Sequence, residues 1–116
     1  MRHRKKKKIL DRKVGPRKAL LKSLAVNLIL NGRIETTEAK AKALKPFIER
    51  LVSYSRKGDL SARRRVNMFL NNRQATKKLI EEIGVRYAQR PGGYTRIIKG
   101  KIRKGDGAKT AFIEFV

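Results

Sequence analysis

The sequence contains no cysteine, a single histidine and only nine acidic residues among 116. Without cysteine the chain can form neither disulfides nor thiolate metal sites, which is compatible with a reducing cytoplasm. The acids are scattered along the sequence, and His3 lies in a basic stretch that offers no scaffold to hold catalytic or ligand partners. The sequence therefore predicts no enzymatic activity, no metal site, no cofactor and no small-molecule substrate.

Long apolar runs are also missing. No stretch approaches the length of a membrane span, and the charged N-terminus is not followed by the apolar segment of a signal peptide. Basic residues occur in every segment instead of on one face of an amphipathic helix, which argues against binding to a membrane surface. We expect a cytoplasmic, unprocessed chain with no membrane partner.

Positive charge is what the sequence has in excess. Lys and Arg total 32, so the net charge is +23 and the pI is about 11.4. Such an excess opposes a compact fold unless a partner supplies negative charge, and a nucleic-acid backbone is the usual supplier. A chain of this length suits one domain plus a tail. We predict a basic RNA-binding arm at residues 1–14 and a single globular domain at residues 15–116.

Four amphipathic segments predict helices. The first follows Gly15 and Pro16 and ends at Asn31 and Gly32. The second begins after a possible cap at Thr37, and Pro46 within it is expected to kink or divide it. The third begins at Asp59 or Ser61 and ends at two asparagines. The fourth ends at Gly84, and Val85 to Ala88 is ambiguous, with one more helical turn as the alternative. Their apolar positions recur at helical spacing: Leu20, Leu21, Leu24, Ala25, Leu28; Ala41, Leu44, Ile48, Leu51, Val52; Val66, Phe69, Leu70; Ala75, Leu79, Ile80, Ile83.

The C-terminal part changes to the pattern of strands. "YTRIIK" and "TAFIEFV" are rich in β-branched and aromatic residues, and the basic segment "GKIRKGDGAK" between them reads as a hairpin loop. "RIETT", after the first helix, is the expected third strand. Helices followed by strands indicate an α+β class, with about four helices packed on a small three-stranded sheet and an extended basic N-terminal arm.

The stretch "RPGGYTRIIKG" at residues 90–100 permits two interpretations. Gly92 and Gly93 could form a backbone nest that binds phosphate together with Arg90 and Arg96. Alternatively, they form a plain turn whose arginines are only solvated. The sequence lacks the strand-to-helix glycine loop of nucleotide-binding proteins, because these glycines lead into a strand.

The remaining charged and aromatic residues give weaker signals. Glu38, Glu49 and Glu114 are expected to pair with nearby Lys or Arg, and Asp106 is expected to be a turn residue. The few aromatic residues are expected mainly in the core, so binding by RNA shape and phosphate is favoured over base stacking.

Five stretches resemble the bacterial large-subunit ribosomal protein seventeen family. They are "MRHRK", "IETTEAKAKAL", "RPGGYTRIIK", "RKGDGA" and "AFIEFV", in the family's order and over nearly the whole chain. The resemblance implies four helices over a three-stranded sheet, and a structural place in the large ribosomal subunit near the exit side of the peptide tunnel. It implies large-subunit ribosomal RNA and neighbouring large-subunit proteins as partners.

The basic residues and this resemblance together give the candidate RNA-binding set. Tyr94 has an alternative role, packing on the helices. The set comprises Arg2, His3, Arg4, Lys5, Lys6, Lys7, Lys8, Arg12, Lys13, Arg17, Lys18, Arg90, Gly92, Gly93, Tyr94, Thr95, Arg96, Lys99, Lys101, Arg103 and Lys104. Composition alone leaves a general DNA-compacting protein as the alternative function.

Overall fold

The computed structural model describes residues 14–116, so the predicted arm lies outside the described residues except for Val14, which starts the first helix. The predicted α+β fold is confirmed in this part of the chain: helices pack on a three-stranded antiparallel sheet. The elements in order are α1 (Val14–Asn31), β1 (Arg33–Thr37), α2 (Glu38–Ser55), α3 (Leu60–Leu70), α4 (Arg73–Lys78), a π-helical turn (Leu79–Ile83), α5 (Gly84–Arg86), β2 (Thr95–Ile102) and β3 (Lys109–Phe115). The consecutive segments α4, π turn and α5 make up the fourth helix.

Helix α1 and strand β1 are joined by a one-residue turn. Leu28 and Ile29 are fully buried at the end of α1, as their spacing predicts. Gly32 then adopts a φ of +79°, and its N–H donates to the carbonyl of Leu28 at 2.7 Å. A left-handed residue of this kind ends a helix best when it is glycine. The turn sends the chain directly into β1, which has the predicted bounds.

Helix α2 lies against all three strands and forms the centre of the fold. Thr37 caps it as predicted, since its Oγ1 accepts the N–H of Lys40 at 3.3 Å. The apolar stripe of α2 is buried, and the helix runs without interruption past Pro46, whose side chain is exposed. The expectation that Pro46 divides the helix is therefore wrong. Burial of the apolar residues on both sides of the proline outweighs the one hydrogen bond that its missing N–H removes.

Asparagine and aspartate side chains set the ends of α3. Asp59 Oδ1 accepts the N–H of Ala62 at 2.8 Å, so Asp59 and not Ser61 is the cap. Asn71 ends the helix in the left-handed conformation, with a φ of +48°. Asn72 begins the fourth helix by accepting the N–H of Ala75 at 2.9 Å. The predicted Asn-Asn break is confirmed, and each asparagine has a different role in it.

This difference between the two candidate caps can be measured. Asp59→Ala is expected to lower the free energy of unfolding by about 1 kcal/mol, because the first turn of α3 loses its capping acceptor. Ser61→Ala, in the same turn, is the matched control and is expected to change it by less than about 0.5 kcal/mol. Urea unfolding followed by circular dichroism gives both values. Equal effects of the two substitutions would contradict the assigned cap.

The prediction that the fourth helix stops at Gly84 is wrong, whereas the further helical turn considered for Val85 to Ala88 is present in part. The helix continues to Arg86, and Gly84 is buried against the last turn of α2. A Cβ placed on Gly84 would lie 2.5 Å from the carbonyl oxygen of Ser55. Gly84 is thus needed for the close approach of two helices, a requirement that a local pattern cannot distinguish from a helix stop.

The sheet has the order β1-β3-β2, and both pairings are antiparallel. Strand β2 is longer than predicted, because Gly100, Lys101 and Ile102 continue it through an irregularity in the register. Gly100 packs so closely on Thr110 that an added Cβ would lie 2.7 Å from the threonine hydroxyl. That hydroxyl donates to the carbonyl of Lys101 at 2.5 Å. The loop between the strands is consequently shorter, spanning residues 103–108.

Among the described residues, no helix is long and apolar enough to cross a membrane.

The core lies between the helices and the inner face of the sheet. The core residues are Ala25, Leu28, Ile29, Ala41, Leu44, Ile48, Leu51, Val52, Ala62, Val66, Leu70, Ala75, Leu79, Ile80, Ile83, Tyr87, Tyr94, Ala111 and Ile113.

Candidate nucleic-acid interface

Residues 90–95, here called the Gly-Gly loop, connect the end of the fourth helix to β2. Gly92 and Gly93 have φ values of +155° and +66°, a combination that side-chain-bearing residues rarely adopt. Within the loop, Arg90 Nε donates to the carbonyl of Gly92 at 3.2 Å. The turn is therefore specified by glycine, and an exposed arginine helps to fold it.

Glu49 of α2 binds the second half of this loop. Its carboxylate accepts the N–H of Tyr94 at 3.2 Å, the N–H of Thr95 at 2.8 Å and the hydroxyl of Thr95 at 2.6 Å. Within residues 14–116 no Lys or Arg pairs with Glu49, contrary to the prediction, and its oxygens accept backbone amides and a hydroxyl instead. These two amides are not available to a phosphate, so a backbone nest here is limited to Gly92 and Gly93.

Arg56, which follows the last turn of α2, binds Ala88 just before the Gly-Gly loop and Tyr94 within it. Its guanidinium donates to the carbonyl of Ala88 at 2.9 Å and to the hydroxyl of Tyr94 at 3.3 Å. The same hydroxyl donates to the carbonyl of Arg90 at 3.1 Å. Tyr94 is 1% exposed, and its ring lies 5.3 Å from the ring of Tyr87. The side chain of Tyr94 therefore packs on the helices, the second of the two roles considered for it.

The structure places the predicted site residues in three environments. Residues 1–13 lie outside the described part of the chain, so Arg2, His3, Arg4, Lys5, Lys6, Lys7, Lys8, Arg12 and Lys13 remain untested predictions. Tyr94 and Thr95 are buried, and Arg17 and Gly92 are half-buried. The exposed members are Lys18, Arg90, Gly93, Arg96, Lys99, Lys101, Arg103 and Lys104. The exposed residues follow one another along the chain through the Gly-Gly loop, β2 and the hairpin tip. Within β2 they lie on both faces of the sheet, because Arg96 is opposite Glu114 and Lys99 is opposite the buried Ala111.

Arg96 is held on the outer face of the sheet. Its guanidinium donates twice to Oε2 of Glu114, at 2.7 and 3.0 Å, while Arg33 from the other side of β3 lies 3.5 Å from Oε1. Arg33 also stacks over the ring of Phe112, 4.1 Å from its centroid. The predicted pairing of Glu114 is confirmed. One carboxylate between two arginines leaves a net positive charge on an oriented, exposed pair of guanidinium groups.

The hairpin tip, residues 103–108, is closed by Asp106. Its carboxylate accepts from Arg103 at 2.7 Å and from the N–H of Ala108 at 3.0 Å. The hydrogen bond from Arg103, followed by the one from Ala108, lowers the pKa of Asp106. Asp106 is the turn residue that the sequence predicts, and it fixes the position of one basic side chain at the tip.

A second basic cluster was missed in the sequence. Glu38 pairs with Lys42 at 2.9 Å, as predicted for an acid near basic residues. The hydrogen bond from Lys42 is the main cause that lowers the pKa of Glu38, and the charges of Lys42, Lys99 and Lys109 lower it further. Three lysines thus surround one carboxylate beside a shallow groove that Lys109 and Ala108 also line. Only the strand register brings Lys99 and Lys109 to the start of α2, so no local signal could reveal the cluster.

Acidic and metal-binding clusters do not form in residues 14–116. No group of three His, Cys, Asp or Glu side chains in this range is placed to hold a metal ion. The acids that do form contacts serve structural purposes: capping a helix, holding a loop or pairing with a neighbouring base. The charged features that remain exposed are overwhelmingly positive, which suits a polyanion.

Comparison with known proteins gives a consistent result. The family described as ribosomal protein L17 matches residues 20–116. The protein named large ribosomal subunit protein bL17 from Gemmatimonas aurantiaca is 53% identical over 116 residues, covering 100% of this chain and 98% of the relative. Its namesakes from Campylobacter lari and Hydrogenobaculum sp. are 52% and 51% identical, each over 100% of this chain and 99% of their own length. The resemblance noted in the sequence is confirmed, and the chain belongs to the ribosomal protein L17 family.

Proposed function

We propose that this chain is a structural constituent of the bacterial large ribosomal subunit, located in the cytoplasm, that binds large-subunit ribosomal RNA through phosphate contacts. Family membership and the names of its relatives support the place in the subunit. Its partners are then that RNA and neighbouring ribosomal proteins. No catalytic step is proposed for it.

The observation that carries the RNA-binding part is the run of exposed basic side chains along residues 90–104, of which the arginines are held in place by hydrogen bonds. Arg90, Arg96 and Arg103 each donate to an oxygen within the protein and remain exposed. Their guanidinium groups are therefore oriented before a ligand arrives, and each has N–H groups not used in these bonds that can donate to phosphate oxygens. Lys99, Lys101 and Lys104 add exposed positive charge within the same stretch of the chain.

Shape and charge, more than base reading, would determine the contacts. Aromatic side chains in and against the core pack on one another, including Tyr87 on Tyr94 and Phe47 on Phe69. Phosphate contacts position a protein on RNA without reading the sequence directly, so specificity would come from the tertiary shape of the RNA. The protein would act by stabilising that tertiary structure.

The arm and the location complete the proposal. Residues 1–14 would bind between RNA helices as a basic arm, and residues 15–116 would dock as one domain. The position near the peptide exit side rests on the family resemblance. A general DNA-binding protein is the alternative that the net charge of +23 permits.

Sedimentation tests the proposal directly. We expect the protein to migrate with the large subunit in a sucrose gradient of cell lysate and to remain there, at about one copy per subunit, after a high-salt wash. A known large-subunit protein in the same fraction is the internal standard. Recovery in the free or DNA-bound fractions would refute the proposal and favour the alternative.

A further inference from the structure

We infer that Glu49 and Arg56 are positioning residues for RNA binding. They hold the Gly-Gly loop in one geometry, so that the exposed groups of the loop are already ordered when they contact phosphates. The inference rests on the proposed function. Arg56 follows Glu49 by seven residues, about two helical turns, so it lies on the same side just beyond the end of α2. From this side Glu49 holds Tyr94 and Thr95, and Arg56 holds Ala88 and Tyr94.

The role of Glu49 stands out because its charge is unfavourable for the partner. An acid in a protein of net charge +23 that binds a polyanion weakens the attraction at long range. Yet Glu49 accepts two backbone N–H groups and one hydroxyl from the loop, whereas no other carboxylate in residues 14–116 accepts more than one backbone N–H. Its benefit must therefore come through the geometry of the loop.

Arg56 is likewise not a free cation. Two of its nitrogens donate to the loop region, and the chain of bonds continues from Arg56 through the hydroxyl of Tyr94 to the carbonyl of Arg90. The planar guanidinium can reach two acceptors in fixed directions, which an ammonium group cannot reproduce. Arg56 thus sets the position of the backbone at Arg90, the first exposed residue of the loop.

The bonds from Glu49 and Arg56 are important because the loop contains two consecutive glycines. A Gly-Gly pair has more backbone freedom than any other dipeptide, so without external bonds the loop would have to be ordered when RNA binds. Ordering a loop in advance increases affinity by removing that cost from the binding step. The bonds from α2 supply this order in the free protein.

The test separates the effect of charge from the effect of loop geometry, because Glu49→Gln is expected to change RNA affinity in opposite directions through the two. Glu49→Gln makes the protein more positive, so charge alone would tighten RNA binding. Loss of the loop geometry would weaken it, because glutamine keeps only one acceptor oxygen and its NH2 group, a donor, would face the N–H of either Tyr94 or Thr95. We expect the full-length variant to bind protein-free large-subunit ribosomal RNA about fivefold to tenfold more weakly. The salt dependence should also become shallower by roughly one phosphate contact.

Matched variants isolate the effect. Glu81→Gln makes the same charge change at an exposed position on the fourth helix and is expected to bind as tightly as the wild type or slightly tighter. Arg56→Lys keeps the charge and is expected to weaken binding about threefold, since the ammonium loses one of the two contacts. Arg50→Lys, at an exposed position of the same helix, is its control and should have no effect.

A direct measurement of the loop complements affinity. Hydrogen exchange of the Tyr94 and Thr95 amides should be faster in Glu49→Gln than in the wild type, without RNA. If Glu49→Gln does not fold, Tyr94→Phe serves instead: it keeps the ring and removes only the hydroxyl, and should still accelerate exchange and weaken binding. RNA binding as tight as the wild type by the folded variant would overturn the inference.

The two proposals fail in different ways. A wild-type protein that binds duplex DNA as well as it binds large-subunit ribosomal RNA contradicts the proposed function, whatever the variants do. A wild-type protein that prefers the RNA, with Glu49→Gln and Arg56→Lys unchanged, contradicts only the positioning role.

Discussion

Replacing Gly84 with alanine is expected to lower the free energy of unfolding by about 3 kcal/mol, the largest stability effect of any single methyl group proposed for this chain. The added Cβ would meet the carbonyl oxygen of Ser55 at 2.5 Å, its carbonyl carbon at 2.9 Å and its Oγ at 2.9 Å. Two of these atoms belong to the backbone of α2, so neither can move aside by a rotamer change. The helices would have to separate, and the buried contacts around them would loosen.

Helix propensity works in the opposite direction and makes the sign of this result informative. Alanine is favoured over glycine by about 1 kcal/mol inside a helix, so a substitution without a steric conflict would stabilise the protein. Gly15→Ala in α1 is the matched control, because no atom lies within 4 Å of the Cβ it would add. We expect Gly15→Ala to raise the free energy of unfolding by about 0.5 kcal/mol. Urea unfolding of both variants decides the matter, and a stabilised Gly84→Ala protein would show that α2 and the fourth helix are not in close contact.

Deleting residues 2–13 is expected to have the largest effect on RNA binding. The segment carries eight Lys and Arg against one Asp. If it neutralises about 6 phosphates, the slope of log affinity against log salt should become shallower by about 5, and the affinity difference between about 50 and 200 mM salt should shrink roughly a thousandfold. Filter binding to large-subunit ribosomal RNA over a salt series measures the slope.

The same deletion should leave the fold intact, because the buried core runs from Ala25 to Ile113. Circular dichroism and thermal unfolding check this before binding is measured. A variant with glutamine at Lys5, Lys6, Lys7 and Lys8 keeps the length of the segment and should reduce the slope by about 3 to 4. In cells, the truncated protein should enter large subunits poorly. Normal incorporation would refute the arm hypothesis while leaving the contacts of residues 90–104 to be tested separately.

Much of the fold could be predicted because its determinants are local. The stripe of α2, the cap at Thr37 and the strand β1 each depend on residues within one or two turns of each other, and the structure confirms all three. The π-helical turn at Leu79–Ile83 had no sequence signal. The long β2 was missed for another reason: Gly100 was interpreted as a loop residue, whereas it is required for contact with Thr110 on the next strand.

The candidate site was predictable in composition and not in mechanism. Arg90, Gly93 and Arg96 are exposed, as a binding role requires. The sequence predicts an ion pair for Glu49, because none of its neighbours along the chain indicates that its carboxylate will bind Tyr94 and Thr95. Contacts between residues so distant in sequence depend on how α2 crosses the sheet, and the spacing of apolar residues does not report that crossing.

The strand order described above has a consequence for how the protein is made. In residues 14–116, β1 pairs with β3 and not with β2. Arg33 therefore has no partner on a neighbouring strand until Glu114 of β3 has been synthesised. The helices that lie between them in sequence can fold while translation continues, whereas both edges of the sheet stay unpaired until β3 has left the ribosome. A newly made chain is therefore expected to expose two unpaired strands until β3 is available. During that interval its strong positive charge keeps such chains apart until the sheet closes.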